Sequence, residues 1–178
     1  LGLKITVVEL LPQILPTVLD ADFARIVQNR MEKDGVTVLT GKRVEEILGN
    51  GKVRGVIVEG EEIPADLVVV STGVKPETEL AQKLGIELGK TGGIKTNEHM
   101  ETNVEDVYAA GDCVETKYLV TGEPILAAMG TVAVRQGKVA GINAAGGTAI
   151  YRGTVLTRVT KLFGLEIASV GLTAQQAK

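Results

Sequence analysis

The most constraining feature of this chain is the stretch 92–113, where turn formers and polar residues lead into a short apolar strand at 107–110 and then straight into Gly111-Asp112. A strand that stops on Gly-Asp presents bare backbone and a carboxylate together at its C-terminal end. That is where an open α/β sheet receives its ligand. After a loop comes an Ala/Gly-rich segment, 125–145, which reads as one long helix. Strand end and helix leave room between them for a nucleotide. Taken by itself, Asp112 is also suited to capping the segment that follows.

The motif Thr96-Asn97-x-x-Met100-Glu101-Thr102-Asn103-Val104-x-Asp106-Val107-Tyr108-Ala109-Ala110-Gly111-Asp112 resembles the second FAD-binding motif of the pyridine nucleotide-disulfide oxidoreductases. It is most similar to the branch containing NADH oxidases, NADH peroxidase and coenzyme A-disulfide reductases. The resemblance continues through Arg135-Gln136-Gly137, Asn143 and Lys161-Leu162-Phe163-Gly164-Leu165-Glu166-Ile167-Ala168-Ser169-Val170-Gly171-Leu172-Thr173, so it covers essentially the whole chain. It implies an α/β fold: a truncated Rossmann-like FAD/NAD(P)-binding fold followed by the first hairpin of an α+β interface domain. The implied division is 1–76, a partial NAD-binding domain without its first strand and glycine-rich loop; 77–148, the second half of an FAD-binding domain; and 149–178, the start of a dimerisation domain.

The resemblance also assigns roles. Gly111 and Asp112 would meet the ribityl and pyrophosphate region of FAD. The amides of Met129 and Gly130 would face flavin O2, where the positive end of a helix dipole favours negative charge. In Ser71-Thr72-Gly73-Val74-Lys75-Pro76, Thr72 and Gly73 would close the NAD domain, the glycine letting backbone approach a nicotinamide nucleotide. Judged alone, that pair is equally a strand terminator. The implied reaction passes hydride from NADH to flavin and electrons on to O2, peroxide or a disulfide such as coenzyme A disulfide, in a full-length homodimer. The family's redox cysteine lies on a segment that this chain does not carry, so no catalytic residue is assigned here. Cys113 reads as a small buried side chain, and His99 as a surface or packing residue.

The remaining segments agree with such a fold. Residues 3–10 form a β-branched strand suited to burial on both faces of a parallel sheet. Its end, Glu9, is placed where βαβ dinucleotide sites bind the adenine ribose, and with no nearby cation to accept an extra phosphate the preference is for NAD(H). A solvated strand-end glutamate is the alternative. Asp20 caps a helix running to about Lys33, with Phe23, Ile26, Val27 and Met31 on its core face and Gly35 past its end. Strands follow at 36–39, at 44–48 and 53–58 around an Asn50-Gly51 hairpin turn, and at 67–70, an apolar run that reads as a central strand. A short helix spans 78–84. In the long helix, Gly130, Gly137 and Gly141 cost about 1 kcal/mol each relative to alanine, so something should compensate by coming close. The two segments 157–163 and 166–171 form a hairpin, marginal if alone.

Composition removes other classes. A net charge of −3 without a basic run argues against nucleic acid, and no apolar run approaches a membrane span. One cysteine and one histidine exclude an internal disulfide and argue against a metal site. A cytoplasmic enzyme fragment is the expectation, inactive alone because neither glycine-rich nucleotide loop nor redox cysteine is present. The alternatives are a non-catalytic nucleotide-binding fragment, a subunit needing a separate N-terminal chain, or a ferredoxin or rubredoxin reductase-type flavoprotein.

Overall fold

The computed structural model describes residues 2–178. In chain order its elements are β1 (Thr6–Glu9), α1 (Ala21–Lys33), β2 (Thr37–Thr40), β3 (Val44–Gly49), β4 (Val53–Val58), β5 (Glu61–Pro64), α2 (Glu79–Lys83), β6 (Glu115–Lys117), β7 (Pro124–Leu126), α3 (Gly130–Ala144), β8 (Arg158–Leu162) and β9 (Leu165–Ser169). They form two compact units. The first contains the chain up to Ser71 together with Arg158–Lys178, and the second contains Thr72–Thr157.

In the first unit, β1, α1 and β2 make a parallel βαβ, with Val7 opposite Val38 and Glu9 opposite Thr40. Helical spacing puts Ala24, Val27 and Met31 on one buried face, which joins Ile14, Leu19, Val36 and Ile167 in the core. Val7 and Val38 pack against this cluster from the strands. Phe23 and Ile26 do not, remaining 61% and 57% exposed. Each lies one residue, about 100°, before a buried neighbour, so both fall on the adjoining face. The helix starts after Asp20 as expected, but the Asp20 carboxylate does not cap it. Oδ1 instead accepts the Ala174 N–H at 2.8 Å.

Two further expectations for this unit are corrected. β1 is shorter than anticipated and is not buried on both faces, Leu3 and Leu10 being 69% and 63% exposed. Among the described residues it has one strand neighbour, β2, where a central strand has two. The run 67–70 forms no strand, and Leu67 and Val69 are 78% and 79% exposed. An apolar run becomes a strand only where a partner supplies hydrogen bonds, and here the ladder fades after Ala65 N–H bonds Arg54 O. The hairpin at Asn50-Gly51 is present, and an additional strand, β5, extends it into a three-stranded antiparallel sheet. β8 and β9 pair as expected, and their hairpin is not left alone: Leu162, Phe163, Leu165 and Ile167 all pack into the first unit's core.

The second unit is held by Ala81, Ile86, Ile94 and Val114, with Val107, Ala109 and Cys113 packed against them. Cys113 is therefore half-buried, its thiol directed at Ala110 O. The organising strand is thinner than expected. Among the described residues, 107–110 pair through the bridge of Tyr108 to Glu101, supported by Thr102 N–H to Val107 O and Ala109 N–H to Met100 O. The long helix begins at Gly130 rather than 125, because Ile125 and Leu126 are taken by β7, which pairs with β6.

Candidate functional site

The sequence-derived candidates fall into separate places. Glu9 lies in the first unit, at the C-terminal end of β1. Its Oε1 accepts the Leu11 N–H at 2.8 Å, which leaves the second carboxylate oxygen without a partner among the described residues. Thr72 and Gly73 open the second unit, both exposed, with Gly73 at φ +105° and nothing near the position a Cβ would take. The remaining four, Gly111, Asp112, Met129 and Gly130, come together in the second unit.

Their geometry follows from the backbone. Gly111 adopts φ +97°, where a side chain is strained, and turns the chain so that Val114 N–H closes back on Gly111 O. A Cβ on Gly111 would sit 3.8 Å from Ala133 Cβ, so the turn lies against the first turns of α3. Asp112 is exposed, and among the described residues its carboxylate neither caps the following segment nor meets a cation. At the start of α3, Met129 is the cap residue, with its own N–H bonded to Ala127 O at 2.8 Å. The free amides are those of Gly130 and Thr131, for which no acceptor exists among the described residues. Unpaired amides at a helix start attract oxygen ligands and negative charge. An open carboxylate and an open pair of amides thus flank one short turn.

Two polar residues that the resemblance covers without assigning them a role support this arrangement. Gln136 is fully buried and accepts the Gly111 N–H at 2.8 Å. Asn143, two turns further along α3, donates to His99 O and Ala149 O and accepts from Ala149 N–H. His99 completes this latch through Nδ1 and Ala149 O at 2.9 Å, the packing role expected of it. Amides seven residues apart on one helix were the available signal. Within the motif, Tyr108 is pushed above its usual value near 10, first by burial and then by the carboxylates of Glu101 and Asp106.

A separate open groove of about 610 Å³ lies elsewhere in the second unit, lined by Asn97, Glu98, Lys117, Tyr151 and Arg152 among others, and holds none of the candidates. Its Glu115 is committed internally to the Thr91 N–H and hydroxyl. No cluster able to hold a metal ion occurs among the described residues, and no helix there is long and apolar enough to cross a membrane.

A parallel βαβ with an acidic strand end, together with a Gly-Asp turn set against a helix start, defines a Rossmann-like α/β protein of the nucleotide-binding kind. Residues 1–149 match the family model described as pyridine nucleotide-disulphide oxidoreductase, and the chain belongs to that family. It is similar to the NADH oxidase of Methanocaldococcus jannaschii, 47% identical over 99% of this chain and 39% of that protein. A solved FAD-dependent pyridine nucleotide-disulphide oxidoreductase from Desulfovibrio vulgaris superposes with a TM-score of 0.95 at 40% identity, covering 99% of this chain and 45% of the other. The NAD-dependent persulfide reductase from A. fulgidus gives a TM-score of 0.94 at 44% identity, over 98% and 33%. The chain thus spans about two fifths of the length of the curated relative it matches (39%).

Proposed function

We propose that this chain supplies part of an FAD-dependent NADH oxidoreductase, passing hydride from NADH to FAD and electrons on to O2, peroxide or a disulfide or persulfide acceptor. In this proposal residues 1–76 belong to the NAD-binding half, 77–148 to the FAD-binding half and 149–178 to a dimerisation domain. The observation that carries the proposal is the Gly111-Asp112 turn set against α3, with the exposed carboxylate and the free Gly130 and Thr131 amides on either side. The acceptor chemistry comes from the relatives, one an NADH oxidase and another a persulfide reductase.

The residues present fit a flavin nucleotide. Gly111 offers backbone without a side chain in the way, Asp112 can accept hydrogen bonds from hydroxyls, and the α3 amides can donate to a carbonyl oxygen. FAD, when bound, supplies the two-electron redox chemistry; the protein supplies binding, orientation and electrostatics. Asp112 holds the hydroxyl-bearing chain, and the start of α3 places positive potential beside the ring. In the first unit Glu9, with one oxygen free, can hold the ribose of NADH; in the second unit the exposed Thr72 and Gly73 leave backbone open to a nicotinamide nucleotide.

The 178-residue chain carries no glycine-rich pyrophosphate loop, so it is expected to purify colourless and to leave added FAD unbleached by NADH. The direct test is FAD titration followed by backbone amide NMR. Shifts should concentrate at Gly111, Asp112, Gly130 and Thr131, and Asp112→Asn should weaken them. No response there at millimolar FAD, or a response confined to the groove at Lys117 and Arg152, would sink the assignment.

A further inference from the structure

Gln136 has 0% of its surface exposed, and its amide is only half used. Oε1 accepts the Gly111 N–H, a pairing that identifies the oxygen, since a backbone N–H needs an acceptor. Nε2 is buried and donates to nothing among the described residues. The amide gains one bond and leaves one donor unpaired, so it adds little net stability. What a glutamine supplies here is the bond to Gly111. That bond spans 25 residues of sequence and ties the second turn of α3 to a turn held by no sheet ladder.

We propose that Gln136 is a positioning residue: by clamping Gly111 in its φ +97° conformation it fixes the direction in which Asp112 presents its carboxylate, and so sets the affinity of the turn for the hydroxyl-bearing chain of a flavin nucleotide. The second clause rests on the function proposed above; the clamp itself does not.

Three forms of the 178-residue chain separate the two: wild type, Gln136→Met and Gln136→Glu. Methionine is unbranched and similar in length but a weak acceptor, whereas a buried glutamic acid is held neutral and keeps a carbonyl oxygen for Gly111. In Gln136→Met the Gly111 amide should exchange with solvent about tenfold faster than in wild type, while the core amides of Ile94 and Glu115 keep their rates. Gln136→Glu should bring Gly111 back to within about threefold of wild type. The FAD concentration needed to shift the Asp112 amide should rise about tenfold in Gln136→Met and recover in Gln136→Glu. Unchanged Gly111 exchange in Gln136→Met overturns the proposal. So does failure to fold, or a uniform rise in exchange across the second unit, since either makes Gln136 an ordinary core residue. Faster Gly111 exchange with no FAD response in any form leaves the clamp standing and overturns the nucleotide-binding role.

Discussion

At Gly49 the backbone leaves no room for choice. Its φ is +152°, and a Cβ there would lie 2.1 Å from Lys52 O across the β3–β4 turn. Gly49→Ala is therefore expected to cost on the order of 2–3 kcal/mol in urea unfolding, more than Gly51→Ala, where only the φ of +73° resists and the space is open. The Asn50-Gly51 signal was legible because a tight turn makes local demands. The demand at Gly49 was not, since it comes from an atom across the turn. Tyr108 allows a second prediction at this scale. Its pKa is raised in the folded chain, so the stability it contributes is complete below about pH 10 and lost as pH rises through and above that value. Lys42, raised chiefly by its hydrogen bond to Glu59, acts in the same direction. Urea midpoints should fall between about pH 9 and 11, and Tyr108→Phe should flatten that fall.

Among the elements, α3 carries the clearest departure from local preference. Gly137 and Gly141 sit inside the helix, yet nothing lies within 4 Å of where their Cβ atoms would be. In this chain each Gly→Ala change should therefore stabilise by about 1 kcal/mol, measured as an upward shift of the unfolding midpoint; a destabilising result would mean that this face is occupied in solution. Helical periodicity revealed α1 and α3 correctly as helices. It misjudged the start of α3, because an apolar Ile125-Leu126 pair serves a strand as well as a helix until β6 claims it. It also credited Phe23 and Ile26 to the core, because a helix with a wide apolar arc does not announce which part faces inward.

Across the whole molecule, the exposed extended run at 67–70 is the main liability. Leu67, Val69 and Val70 present apolar surface and, among the described residues, backbone without a strand partner, conditions that favour association between chains. Leu67→Lys with Val69→Lys, on one side of the extended backbone, should lower light scattering of concentrated samples without lowering the melting temperature. The sequence alone determined the family, the α/β class, the order of the helices, the β3–β4 and β8–β9 hairpins, and the Gly111-Asp112 turn, since these rest on spacing, turn chemistry and a long contiguous motif. Only the tertiary structure decided that Asp20 serves Ala174 rather than its helix, that 67–70 finds no partner, and that Gln136 and Asn143 reach across to hold distant loops. Each of these depends on which groups meet in space, and a buried amide or an unpaired strand carries no local signature of the partner it gains or lacks.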